Sequence, residues 1–150
     1  MSVGQQVVKT FEAHLDNLYP MLRLIKSYAQ GLGFTKTPLS RIELASEEAL
    51  VNIIDYAYPD TDEGLIKISL SKTGDNELRI TLIDHGIPFN PLSNSKKFQV
   101  KSFKTNATIG GYGTYFIIEL MDRVEYDRKE TANILSLVKK VPSKSLPDKP

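Results

Sequence analysis

Two runs of alternating residues around a short turn constrain this chain more than any other feature. From Leu65 to Lys72, Ile66, Ile68 and Leu70 share one face, and from Glu77 to Ile83, Leu78, Ile80 and Leu82 do the same. Period-two alternation makes strands with one apolar face. Thr73-Gly74-Asp75-Asn76 between them reads as a hairpin turn. The apolar face of such a hairpin has to be covered by a second layer. The preceding residues supply one. After Asp16, a candidate cap, Leu18, Met21, Leu22, Ile25 and Tyr28-Ala29 recur at helical spacing, and Gly31 and Gly33 end the segment. A second helix is expected after Pro38. Ser40 followed by Glu43 forms a capping-box pattern, and Pro59 stops the helix near Tyr58. Ile42, Ala45, Ala49, Ile53 and Ala57, with Leu50 beside them, form its core stripe.

The rest of the chain completes the layers. Val7 to Phe11 reads as an edge strand. Gly86 to Ile109 has no clear period and carries Lys96, Lys97, Lys101 and Lys104, the pattern of a lid or binding loop. Gly110-Gly111-Tyr112-Gly113 precedes a helical segment from Thr114 to about Met121, whose Tyr115, Phe116, Ile117, Ile118 and Leu120 are expected in the core. Val124 to Arg128 and Asn133 to Val138 form a second hairpin around Lys129-Glu130. This order predicts an α+β two-layer sandwich, a mainly antiparallel, mixed sheet with helices on one face. It is not the strand–helix alternation of a doubly wound fold. Residues 1–141 read as one domain, with 142–150 a disordered tail.

Composition narrows the chemistry. Nineteen Lys and Arg against 18 Asp and Glu give a net charge of +1, without the basic excess that DNA or anionic membranes attract. With no cysteine and only His14 and His85, thiolate and histidine metal sites are not expected. No signal peptide or 20-residue apolar run is visible, so a cytoplasmic location is expected.

Three clusters can carry chemistry. Glu48 and Asn52 stand one helical turn apart, so both can face one site. The carboxylate suits a general base, and the Asn carbonyl is a hard oxygen suited to Mg²⁺. The alternative is a solvated polar strip. Asp84-His85-Gly86 places a carboxylate on the apolar face of its strand, where it needs a donor; an adenine amino group is one. Gly86 would let ligand and backbone approach closely. The alternative is an ordinary Asp-x-Gly turn. Gly110, Gly111 and Gly113 before a helix offer backbone N–H groups to phosphate, or are a flexible loop. No serine lies in the elbow setting of a serine hydrolase.

In combination the clusters resemble a known pattern. Glu48-x-x-x-Asn52, Asp84-x-Gly86, a lid and Gly110-Gly111-x-Gly113 occur in the order of the ATP-binding fold shared by gyrase, heat-shock chaperones, sensor histidine kinases and mismatch-repair proteins. Ser46 to Asn52, Asp84 to Pro91, Ile109 to Gly113 and Asn133-x-Leu135-x-Leu137-x-Lys139 look most like the bacterial anti-sigma-factor serine kinases. The resemblance implies ATP and Mg²⁺ as cofactors. Glu48 would be the general base and Asn52 the Mg²⁺ ligand; Asp84 and Gly86 would lie at the adenine, and Gly110, Gly111 and Gly113 around the phosphates. It also implies a sigma factor and a STAS-type anti-anti-sigma protein as partners, the latter phosphorylated on serine, and a homodimer. Many relatives carry Glu-Arg before the second glycine box. Thr105-Asn106-Ala107-Thr108-Ile109 has no Arg, which keeps open an ATP-binding switch protein with little kinase activity. A detached histidine-kinase catalytic domain and a plain α+β domain are the remaining readings.

Overall fold

The computed structural model describes residues 5–92 and 116–143. The elements are β1 (Val7–Glu12), a single 3-10 turn (Leu15–Asn17), α1 (Leu18–Gly31), α2 (Lys36–Tyr56), β2 (Leu65–Lys72), β3 (Glu77–Asp84), β4 (Arg123–Lys129) and β5 (Ala132–Lys140). Residues 116–120 are helical.

The strands form one sheet in the order β1-β2-β3-β5-β4. All four described pairings are antiparallel, so the parallel pairing that a mixed sheet would need is not among them. The β2–β3 hairpin pairs Lys72 with Leu78. Its turn closes through the Asn76 N–H on the Thr73 carbonyl, with Asn76 at a φ of 63°. Asn tolerates that left-handed geometry better than most residues. Ile66, Ile68, Leu70, Leu78, Ile80 and Leu82 are fully buried on one face. Against them pack Met21, Leu22, Ile25 and Ala29 of α1 and Ile42, Ala45, Ala49, Leu50 and Ile53 of α2. On the other face an Arg79–Glu125, Arg123–Glu77 and Arg123–Glu125 network stands beside Val138, which pairs with both arginines and is fully buried.

The helix ends depart from expectation. α2 begins at Lys36, so exposed Ser40 lies inside the helix and no Ser40–Glu43 capping box forms. The reason is Pro38. Its missing N–H falls in the first helical turn, where no intrahelical acceptor needs it. Buried Leu39 gains from the earlier start. Asp16 lies in the 3-10 turn and does not cap α1. Asn17 precedes α1 and donates its amide to the Glu12 carbonyl at 2.9 Å. At the far end of α1, Gly33 takes a φ of 105° while the Phe34 N–H returns to the Ala29 carbonyl. That six-to-one closure favours glycine. In residues 116–120, Ile117 is buried but Phe116 and Ile118 are exposed, so only part of the expected core segment is core. Among the described residues no helix is long and apolar enough to cross a membrane.

Candidate functional site

A cleft of about 390 Å³, counting its open side, lies between α2 and the ends of β3, β4 and β5. Ala49, Asn52, Ile53 and Ala57 of α2 form one wall. Asp84, Tyr126, Asn133 and Leu135 form the floor, and Phe89 and Pro91 close one side. The wall is mainly apolar, with a few convergent polar groups, which is the usual make-up of a small-ligand site. Phe89 also stacks near Tyr56, with ring centroids 6.2 Å apart.

Helical phase brings Asn52 into this cleft. It sits three residues after Ala49 and is only 6% exposed. Its side-chain Nδ2 has no hydrogen-bond partner among the described residues. A buried amide donor without a partner costs about 1–3 kcal/mol, a cost a ligand oxygen would remove. Glu48 lies one turn earlier and is half-buried. Burial, and secondarily the neighbouring Glu47 carboxylate, hold its pKa above the ordinary glutamate value. A raised carboxyl is a better proton acceptor near neutral pH.

Asp84 ends β3 on the apolar face and is buried, as the alternation predicts. Its Oδ1 accepts the Gly86 N–H at 2.9 Å and the Asn133 side-chain amide at 2.8 Å. The Asp-x-Gly turn is therefore real, and Asp84 also lines the cleft, where no described residue donates to its Oδ2. Gly86 has a different constraint from the expected ligand approach. A Cβ there would come within 2.1 Å of the Ala57 carbonyl oxygen. The Ile87 N–H donates to that same oxygen, which fixes the β3 exit against the end of α2. The Arg128 guanidinium donates to the Gly86 carbonyl at 2.9 Å. Tyr58 accepts the His85 N–H and donates to the Leu65 carbonyl.

The structure thus places Asn52 and Asp84 on one cleft, with Glu48 one turn along α2 and Gly86 two residues after Asp84. Gly110, Gly111 and Gly113, the lid lysines and the Thr105–Ile109 stretch lie outside the described residues. Sequence reasoning missed Asn133, Tyr126 and Phe89 as site residues. The signal for Asn133 was available: it shares the β5 face of Leu135 and Leu137, a polar residue on an apolar stripe, just as Asp84 does.

The donor set fits a magnesium nucleotide. Asn52 offers a hard oxygen for the ion and an unpartnered N–H for a phosphate or water oxygen. Asp84 Oδ2 offers an acceptor for an exocyclic amine. Among the described residues no three His, Asp or Glu side chains converge on a metal position, so an ion here would rest on Asn52, phosphates and water.

Comparison with known proteins identifies the family and the fold. Residues 11–139 match the histidine kinase-like ATPase domain. The chain belongs to that family, and its identity to a serine-protein kinase RsbW places it within the RsbW-like group. A serine-protein kinase RsbW from Bacillus cereus is 30% identical over 112 residues, 71% of this chain and 68% of the relative. One from Halalkalibacterium halodurans is 27% identical over 124 residues, 77% and 70% of the two chains. In fold, the chain is similar to the crystal structure of the RsbU and RsbW domains of a Mycobacterium tuberculosis protein. The TM-score is 0.65 at 14% identity, covering 91% of this chain and 32% of that one. The histidine kinase domain of an Erythrobacter litoralis blue-light-activated kinase gives 0.54 at 17% identity, covering 83% and 61%.

Proposed function

We propose that this chain is an ATP-dependent protein serine kinase that binds a sigma factor and phosphorylates a serine of a STAS-type anti-anti-sigma protein, acting as a homodimer. The observation that carries the reading is buried Asn52, whose Nδ2 has no partner among the described residues, lining a cleft with Asp84 one turn from half-buried Glu48. Bound MgATP supplies the transferable phosphoryl group and neutralises its charge. The chain positions it. Asp84 Oδ2 accepts the adenine amino group, and Asn52 holds the ion side. Gly110, Gly111 and Gly113 supply backbone N–H groups to the phosphates. Glu48 takes the proton of the attacking serine hydroxyl at its carboxylate, as the new oxygen–phosphorus bond forms and ADP departs.

The test is transfer of labelled γ-phosphate to a serine-bearing anti-anti-sigma protein. Glu48→Gln is expected to lose about a hundredfold or more in transfer rate while still binding ATP. Equal rates would remove Glu48 from the role of base. A second reading, an ATP-sensing anti-sigma protein with little kinase activity, is favoured by the missing Arg in Thr105–Ile109. It predicts sigma-factor binding that depends on nucleotide, without label transfer.

A further inference from the structure

Asn133 is the most heavily bonded side chain in the site. It is 5% exposed, in the middle of the floor. Its Nδ2 donates to Asp84 Oδ1 at 2.8 Å and to the Ile87 carbonyl at 2.8 Å. Its Oδ1 accepts the Tyr126 hydroxyl and, at 3.4 Å, the Phe89 N–H. A carboxamide has two N–H groups and two acceptor positions, so all four are used. Two of the partners begin the segment that closes the cleft through Phe89 and Pro91. One is the Asp84 carboxylate, which lines the cleft.

We infer that Asn133 is a positioning residue for base selectivity, locking Asp84 with Oδ2 toward the ligand and tying that carboxylate to the 87–89 stem of the loop. The inference rests on the nucleotide reading above. The Gly86 N–H and the Asn133 amide together hold Oδ1, which leaves one oxygen and one orientation for the base. A fixed acceptor welcomes the 6-amino group of adenine and opposes the 6-oxo group of hypoxanthine. A carboxylate released from Asn133 is free to turn away from the oxo group, so discrimination falls. Because the same amide holds the Ile87 carbonyl and the Phe89 N–H, base recognition and loop-stem order share one residue.

The experiment measures the affinities of ADP and IDP, each with Mg²⁺, for the full chain by titration calorimetry. It compares the wild type with Asn133→Ala and Asn133→Ser. The serine side chain ends near the position of the amide carbon, short of Asp84, and is the milder change should alanine fail to fold. The wild type is expected to prefer ADP, and both variants to lose about tenfold or more of that preference, because a hydrogen-bonding site rejects an analogue only while its groups are held in place. A purely structural role would lower the unfolding midpoint and leave the ADP-to-IDP ratio unchanged, which overturns the inference. A wild type that prefers ADP beside folded variants with the same preference removes Asn133 alone. A wild type that binds neither nucleotide removes the nucleotide reading itself, and this inference with it.

Discussion

Glu48 and Gly86 show how much of the site depends on single atoms. A carboxyl whose pKa is higher in the folded than in the unfolded chain holds its proton more tightly in the fold. Glu48 is raised in this way by burial and by Glu47. Its contribution therefore worsens as pH rises from the ordinary glutamate pKa through its higher folded value. Glu48→Gln should stabilise the chain at pH 7, and the gain should vanish below about pH 4, where wild-type Glu48 is protonated in both states. Urea unfolding of both proteins across pH checks this; a gain that persists in acid would contradict it. Gly86→Ala forces a methyl against the Ala57 carbonyl oxygen, 2.1 Å away with no shift. Overpacking of this kind should cost roughly 2–3 kcal/mol, read from the urea midpoint. A change below 0.5 kcal/mol, itself only about the scatter of neutral surface substitutions, would mean the β3 exit is looser than described. Asp84 was legible in sequence because alternation put a charge on an apolar face. Its bonded partner Asn133 obeys the same rule, but strand pairing brings the two together from 49 positions apart, and no local pattern carries that.

At the scale of elements, the stripe of α2 was legible because 3.6-residue spacing survives in Ile42, Ala45, Ala49 and Ile53, all buried. Leu50, fully buried among them, should cost about 2–5 kcal/mol on mutation to alanine, measured by denaturant unfolding. The start of α2 was not legible. Ser40 with Glu43 is a sound capping pattern, yet Pro38 fits the first turn and Leu39 needs cover, and these won. Ser40→Ala should accordingly change stability by no more than about 0.5 kcal/mol, since the hydroxyl is on an exposed helical surface. A loss near 1 kcal/mol, the usual worth of a cap, would restore the capping reading.

Across the whole molecule, the two hairpins and the covering helices were visible as patterns, and so the layered fold was. The sheet order was not. β5 lies between β3 and β4, which sets Asn133 opposite Asp84 and so makes the floor of the cleft. That adjacency joins strands far apart in sequence, and no local pattern carries it. In the proposed function, α2 and the ends of β3 and β5 together hold a magnesium nucleotide. The most direct measurement is thermal unfolding with and without MgATP, for the wild type and for Asn52→Ala. At a ligand concentration about 100 times the dissociation constant, binding adds about 2.7 kcal/mol, or roughly 5–10 °C for a domain of this size. The account predicts that shift in the wild type, dependent on Mg²⁺ and absent from Asn52→Ala. No shift at millimolar MgATP, or an equal shift in the variant, would contradict it.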